Sequence, residues 1–318
     1  MTNPAPIAST GRIDVHNHVV PPQWRQWLLD LSLTSGGLHI PEWTVDGALE
    51  LMEKAQIATA ILSASTPGVE PASDKEESRR TAREINEFCA QVVTDHPGRF
   101  GFWATVTLPD VDGALQEATY ALDELNADGV ILFANSKGVY LGDPRFDPLL
   151  EELDRRGSVV FVHPAELQAS PVEGIPPFAA DFLLDTTRAA INMVVHRTLE
   201  RYQNLKVILS HAGGIVPYAA DRIAASLTMT HPELAKDTTV AALRRFYFDT
   251  ALSGSQFTLP SLLAFAEPDH VLFGSDYPYA PSREALWFTS KLDAYEDLDL
   301  PAVDRGNAEC LLPRLMRD

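Results

Sequence analysis

Eight short apolar runs, rich in β-branched and aromatic residues, recur along the chain: Arg12–Val15, Thr59–Leu62, Arg99–Val106, Gly129–Phe133, Val159–Val162, Lys206–Leu209, Phe246–Phe248 and His270–Phe273. Longer amphipathic stretches separate them, such as AREINEFCAQVVTDHPG and GALQEATYALDELNADG. In the second, Asp112 reads as an N-cap, and Leu115, Ala118, Leu122 and Leu125 form one stripe; the pattern predicts a helix running to Gly129. Near-continuous apolar strands alternating with helices imply a parallel sheet covered on both faces. Between His16 and Asp276 the units average about 37 residues, which suits a (β/α)8 TIM barrel of ~250 residues. The alternative is a doubly wound sheet. That fold usually places a glycine-rich phosphate turn after its first strand, and VHNHVVPP is not one. No shift in composition marks a boundary. The expectation is one domain over 1–318, with 1–10 as an N-terminal extension and a long loop, 19–44, after the first strand.

Polar residues cluster just after the strands. The first run ends in Asp14-Val15-His16-Asn17-His18, the fifth in Val162-His163-Pro164, the sixth in Ser210-His211-Ala212-Gly213-Gly214, the eighth in Gly274-Ser275-Asp276-Tyr277-Pro278. In a barrel all these strand ends meet at one mouth. Residues i and i+2 of a strand share a side, so His16 and His18 can chelate one ion. Imidazole nitrogen suits zinc, with manganese second, and a carboxylate completes a site with an open position. A lone histidine after a strand is more often a satisfied polar residue than a ligand. Four histidines and an aspartate at four strand ends point to a metal. His39, His96, His196, His231 and His270 fall on loops or helices and read as ordinary polar residues.

Charge and cysteine usage narrow the partners. Lys and Arg number 25 against 44 Asp and Glu, a formal charge of −19, which repels phosphate backbones and argues against nucleic acid. A 45% hydrophobic, 22% charged composition excludes disorder. Cys89 and Cys310 lie too far apart in sequence to suggest a disulfide framework, so a reducing compartment is expected. MTNPAPIASTGRIDV has no secretory character and no apolar run reaches membrane-spanning length, so a cytoplasmic protein is expected.

The segments IDVHNH, VFVHP, VILSHAGG and LFGSDYP, in this order, resemble the amidohydrolase superfamily. They are most similar to the branch holding aminocarboxymuconate-semialdehyde, γ-resorcylate and 6-methylsalicylate decarboxylases, with the overall pattern resembling the last group. The resemblance implies that His16, His18 and His163 ligate one divalent metal with Asp276 as the carboxylate ligand. It implies that His211 stands beside the metal and moves protons. It also implies that Arg222, in VPYAADRIAAS, reaches into a partner subunit's site and holds a substrate carboxylate, hence a homodimer; a planar guanidinium suits that task. Two features depart from relatives. Ala48 occupies the position where the muconate-semialdehyde enzymes carry a further arginine. The end of the fourth strand is Ala134-Asn135, with Lys137 beyond it, so no lysine stands ready to bridge two metals.

The implied chemistry is loss of carboxyl from a small aromatic hydroxy acid. The metal would orient the acid, and Asp276 or His211 would supply a proton to the vacated ring carbon. Candidate substrate contacts are Trp103 in the third run and Asn135 after the fourth. Trp24, Trp27 and Trp43 in the long loop, and Phe178 and Phe182 after the fifth run, are candidate pocket walls that could equally pack the loop. Hydrolysis of a lactone, an ester or a ring-cleavage product is the rival reaction, and a metal-binding protein without activity a third reading.

Overall fold

The computed structural model describes residues 11–170 and 172–316; the expected 1–10 extension lies outside them. Eight parallel strands form the barrel: β1 (Arg12–His18), β2 (Ile57–Ser63), β3 (Phe100–Thr105), β4 (Gly129–Phe133), β5 (Val159–His163), β6 (Lys206–Leu209), β7 (Tyr247–Asp249) and β8 (Val271–Leu272), paired in that order. After β8 the chain returns to β1. Val15 N–H donates to Phe273 O at 3.0 Å, Asp276 N–H to His16 O at 2.8 Å and His18 N–H to Tyr277 O at 2.6 Å. This closure decides for the barrel over the doubly wound sheet.

Helices form where the local chemistry allows. The Lys75–Asp95 helix starts at Asp74, whose carboxylate accepts from Glu77 N–H at 2.9 Å, and the Val45–Lys54 helix starts at Thr44, which accepts from Gly47 N–H at 3.1 Å. The expected 112–129 helix is observed as Val111–Asp123. It begins after Asp110, not at Asp112, and its most buried stripe runs through Ala114, Ala118 and Ala121. It stops short of Gly129 because Glu124 ends the helical run and Asn126 adopts a left-handed backbone (φ 55°) before β4.

Inside the barrel, Ile13, Val15, Ile61, Trp103, Ile131, Phe161 and Ile208 pack as one cluster with Leu311, Leu312 and Leu315. These leucines belong to a segment that crosses the barrel's N-terminal end. Val303 O accepts from Phe273 N–H at 3.0 Å, Asn307 donates to Val271 O at 2.8 Å, and Arg12 at the start of β1 pairs with Asp304 (2.8 Å) and Asp293. One end of the barrel is plugged. The other carries the polar strand ends, roofed by the 19–44 segment with its Pro22–Asp30 helix.

Candidate functional site

The strand ends bring His16, His18, His163, His211 and Asp276 together, all buried. Each histidine donates through Nδ1 to an acceptor. The His16 Nδ1 lies 2.8 Å from Asp249 Oδ2. His18 Nδ1 is 3.2 Å from Ser63 O, His163 Nδ1 2.8 Å from Pro164 O and His211 Nδ1 3.2 Å from Ala251 O. Carbonyl and carboxylate oxygens only accept, so in the neutral form of each ring the proton sits on Nδ1 and Nε2 is left with its lone pair. His16 Nε2 and His18 Nε2 are 3.1 Å apart, and Asp276 Oδ1 lies 3.3 Å from the first and 3.1 Å from the second. One donor atom from each of His16, His18, His163 and Asp276 falls within 4.8 Å of the others. Three imidazoles and one carboxylate, buried and already oriented, fit a divalent metal ion.

A second grouping, His16, His211 and Asp249, is equally compact. Its donors are already engaged. Asp249 Oδ2 takes His16 Nδ1, and Oδ1 accepts from His211 N–H and Ala251 N–H, both at 2.9 Å. Both Asp249 oxygens thus accept hydrogen bonds from within the chain.

The electrostatics follow from burial and crowding. Burial disfavours a charge on His16, but the carboxylates of Asp249 and Asp276 outweigh it and raise its pKa to about 10 without a metal. Burial lowers His18, and burial with the neighbouring rings lowers His163 well below the ordinary histidine value. Burial pushes Asp276 up, yet His16 and His18 hold it well below the usual carboxylate range. His211 is lowered, first by burial and then by His16.

Aromatic rings surround the cluster. Phe161 lies under His16 at a centroid distance of 4.8 Å. Phe133 and Phe182 stand 6.2 and 6.3 Å from His163, and Tyr279 meets His18 edge-on at 5.3 Å. The Tyr279 hydroxyl is buried near Ser35 and Ser65, in hydrogen-bond geometry with neither.

The other expected contacts are placed differently. Trp103 is fully buried one layer deeper, 6.3 Å from Phe161, and its Nε1 donates to Val15 O at 2.8 Å. Asn135 spends its amide on Glu166 O and Asp185 Oδ1 and accepts from Gly138 N–H. Within the chain, Trp103 fills the barrel and Asn135 ties the turn after β4 to the Pro177–Val195 helix. Trp24 and Trp43 join the core, Trp24 donating to Gly68 O at 3.0 Å, and Trp27 donates to Glu77 at 3.2 Å, so all three pack the loop. Phe178 is exposed, while Phe182 faces the site. Arg222 is exposed on the Val216–Thr230 helix, with no hydrogen bond or ion pair among the described residues. Ala48 packs in the core, and Lys137 sits in a hairpin turn (φ 49°).

Sequence reasoning missed Asp249, Tyr279, Phe133 and Phe161. Asp249 had a readable signal, a carboxylate directly after the apolar FYF.

The amidohydrolase family model matches residues 13–314. The 6-methylsalicylic acid decarboxylase of Penicillium expansum is 40% identical over 321 residues, spanning 96% of this chain and 97% of that protein. The crystal structure of an amidohydrolase II superposes with a TM-score of 0.88 at 31% identity, covering 95% of this chain and 99% of the other. The dihydroxybenzoic acid decarboxylase of Polaromonas sp. JS666, solved with bound manganese and 2-nitroresorcinol, shares the fold with a TM-score of 0.79 at 22% identity, over 97% and 98% of the two chains.

Proposed function

The chain belongs to the amidohydrolase family, and on that premise we propose that it is a metal-dependent carboxy-lyase that removes the carboxyl group of a small aromatic hydroxy acid of the 6-methylsalicylate kind. The observation that carries this reading is the pairing of an oriented three-histidine, one-aspartate donor set with a collar of aromatic rings. Among the described residues, no lysine or arginine hydrogen-bonds to or pairs with the five polar site residues. That composition favours a substrate with one carboxylate and an apolar ring over a dicarboxylate.

His16, His18, His163 and Asp276 would hold the ion, zinc first and manganese as the alternative that the same donors accept. When bound, the metal supplies Lewis acidity toward the carboxylate and ortho-hydroxyl oxygens of the acid. Phe133, Phe182 and Tyr279 fix the ring plane, and Phe161 closes the floor. His211, neutral with its proton on Nδ1, has Nε2 free to accept a proton from the substrate hydroxyl or solvent. Burial makes that proton easy to give up, so His211 returns it to the ring carbon as the carbon–carboxyl bond breaks and carbon dioxide leaves; Asp276, ionised, is the second candidate and would first have to take that proton up itself.

Arg222, exposed and unpaired among the described residues, supports the reading that it serves a partner's site in a homodimer. Arg222→Ala is expected to raise KM for the acid with the melting temperature unchanged; unaltered kinetics would remove Arg222 from the site. A cytoplasmic location and a single catalytic domain over 1–318 complete the proposal; two distant, unpaired thiols suit a reducing compartment.

The test is proton NMR of metal-loaded protein in deuterated water with a panel of ortho-hydroxybenzoates including 6-methylsalicylate. Loss of a carboxylate with deuterium at the vacated carbon is expected. An untouched panel would move the assignment to hydrolysis, with lactones and ring-cleavage products as the next panel.

A further inference from the structure

We propose that Asp249 is a positioning residue that sets two parts of the site at once: the tautomer of His16 and the backbone turn that carries His211. The proposal rests on the metal-centre reading above, but not on the identity of the substrate. Asp249 is completely buried, at the end of β7 and between the two residues it serves. Its Oδ2 accepts from His16 Nδ1 at 2.8 Å, which directs the lone pair of Nε2 into the donor set. Its Oδ1 accepts from the N–H groups of His211 and Ala251, both at 2.9 Å. The His211 bond matters because His211 and Ala212 both adopt the left-handed conformation, φ 53° and 55°, which side-chain-bearing residues rarely enter. A turn of that kind persists only where neighbouring groups fix it. The Ala251 bond adds a closing link, since Ala251 O is the acceptor for His211 Nδ1 at 3.2 Å. One carboxylate therefore orders a metal ligand through one oxygen, and through the other both the backbone and the ring of His211.

The two functions separate by substitution. In Asp249→Asn the amide oxygen can still accept from the two backbone N–H groups. The amide nitrogen now faces His16 Nδ1 and can only donate, which drives the imidazole proton to Nε2, where the metal must bind. Asp249→Ala removes both contacts. The probe is zinc alone, titrated into metal-free protein by chelator competition, followed by kcat measured at saturating zinc. Asp249→Asn is expected to weaken zinc binding by about 10–100-fold and to recover most of its kcat once zinc is saturating. Asp249→Ala is expected to weaken zinc at least as much and to stay more than tenfold low in kcat at saturation, because His211 is no longer held. If Asp249→Ala does not fold, Asp249→Ser takes its place, with the same expectation. Wild-type zinc affinity in Asp249→Asn would overturn the tautomer half. Full kcat in the Ala or Ser variant at saturating zinc would overturn the His211 half. Two zinc ions per wild-type chain, one of them lost in Asp249→Asn, would overturn the proposal by making Asp249 a ligand. The zinc titration uses no substrate, so it decides the matter for His16 even if the wild-type protein leaves every hydroxybenzoate intact.

Discussion

At the scale of single residues, the site depends on which nitrogen of each imidazole carries its proton. His163 shows the cost of losing one donor. Its Nδ1 is fixed by Pro164 O and its ring touches His16, His18, Phe133 and Phe182. His163→Ala is expected to bring metal content well below one ion per chain by elemental analysis. Activity should fall by more than the ~10–100-fold typical of losing an outer hydrogen-bond partner. Stoichiometric metal with full turnover would remove His163 from the donor set. Tyr279 offers a milder test. Its hydroxyl is buried without a well-formed partner, so Tyr279→Phe should leave folding intact, and any shift in preference among ring-substituted hydroxybenzoates would report a contact between that hydroxyl and the substrate.

At the scale of elements, the 19–44 segment packs against the aromatic wall of the site. Gly36 adopts φ 56° directly above Phe182, and a Cβ there would overlap the Phe182 ring. Gly36→Ala therefore combines left-handed strain of roughly 1–2 kcal/mol with a clash against a pocket wall. A lower melting temperature together with a higher KM is expected; a change in neither would show that this turn does not shape the site. The contrast between what the sequence revealed and what it hid belongs at this scale. The strands and the donors at their ends were readable, because apolar runs bounded by polar residues leave a local signature. His16 and His18 even declared their shared side through period-two spacing. Phe133 and Tyr279 carried no such mark, since an aromatic residue at a strand end looks the same whether it lines a chamber or fills a core. Trp103 shows the same ambiguity: its position in β3 points inward, and the depth at which it sits, beside Phe161, was not readable. For Asn135, a free amide and one tied to Asp185 read alike until the Pro177–Val195 helix is placed beside it. The Val111–Asp123 helix began and ended earlier than predicted because the stripe, Leu115 to Leu125, lies between Asp110 and Asn126 and marks neither boundary.

At the scale of the whole molecule, metal and proton compete for the same buried ring. Without metal, His16 keeps a proton up to a pKa of about 10, against an ordinary value of 6.5. A raised histidine pKa stabilises the folded state fully below about pH 6.5, and that contribution disappears as pH climbs through 10. A metal on Nε2 excludes the proton, so the loaded protein lacks this dependence. Calorimetry between pH 7 and 9 should show the metal-free melting temperature falling while the zinc-loaded one does not follow, so the gap between them widens. A gap that is constant with pH would contradict the assignment of His16 as the protonated group. The segment that seals the barrel's far end has a consequence for how the protein is made. Leu311, Leu312 and Leu315 complete a cluster begun by Ile13 and Val15. During synthesis the first strand leaves the ribosome nearly three hundred residues before the leucines that cover it. The nascent barrel must wait, open at its base and exposing apolar surface to chaperones and to neighbouring chains, until that late segment emerges and shuts it.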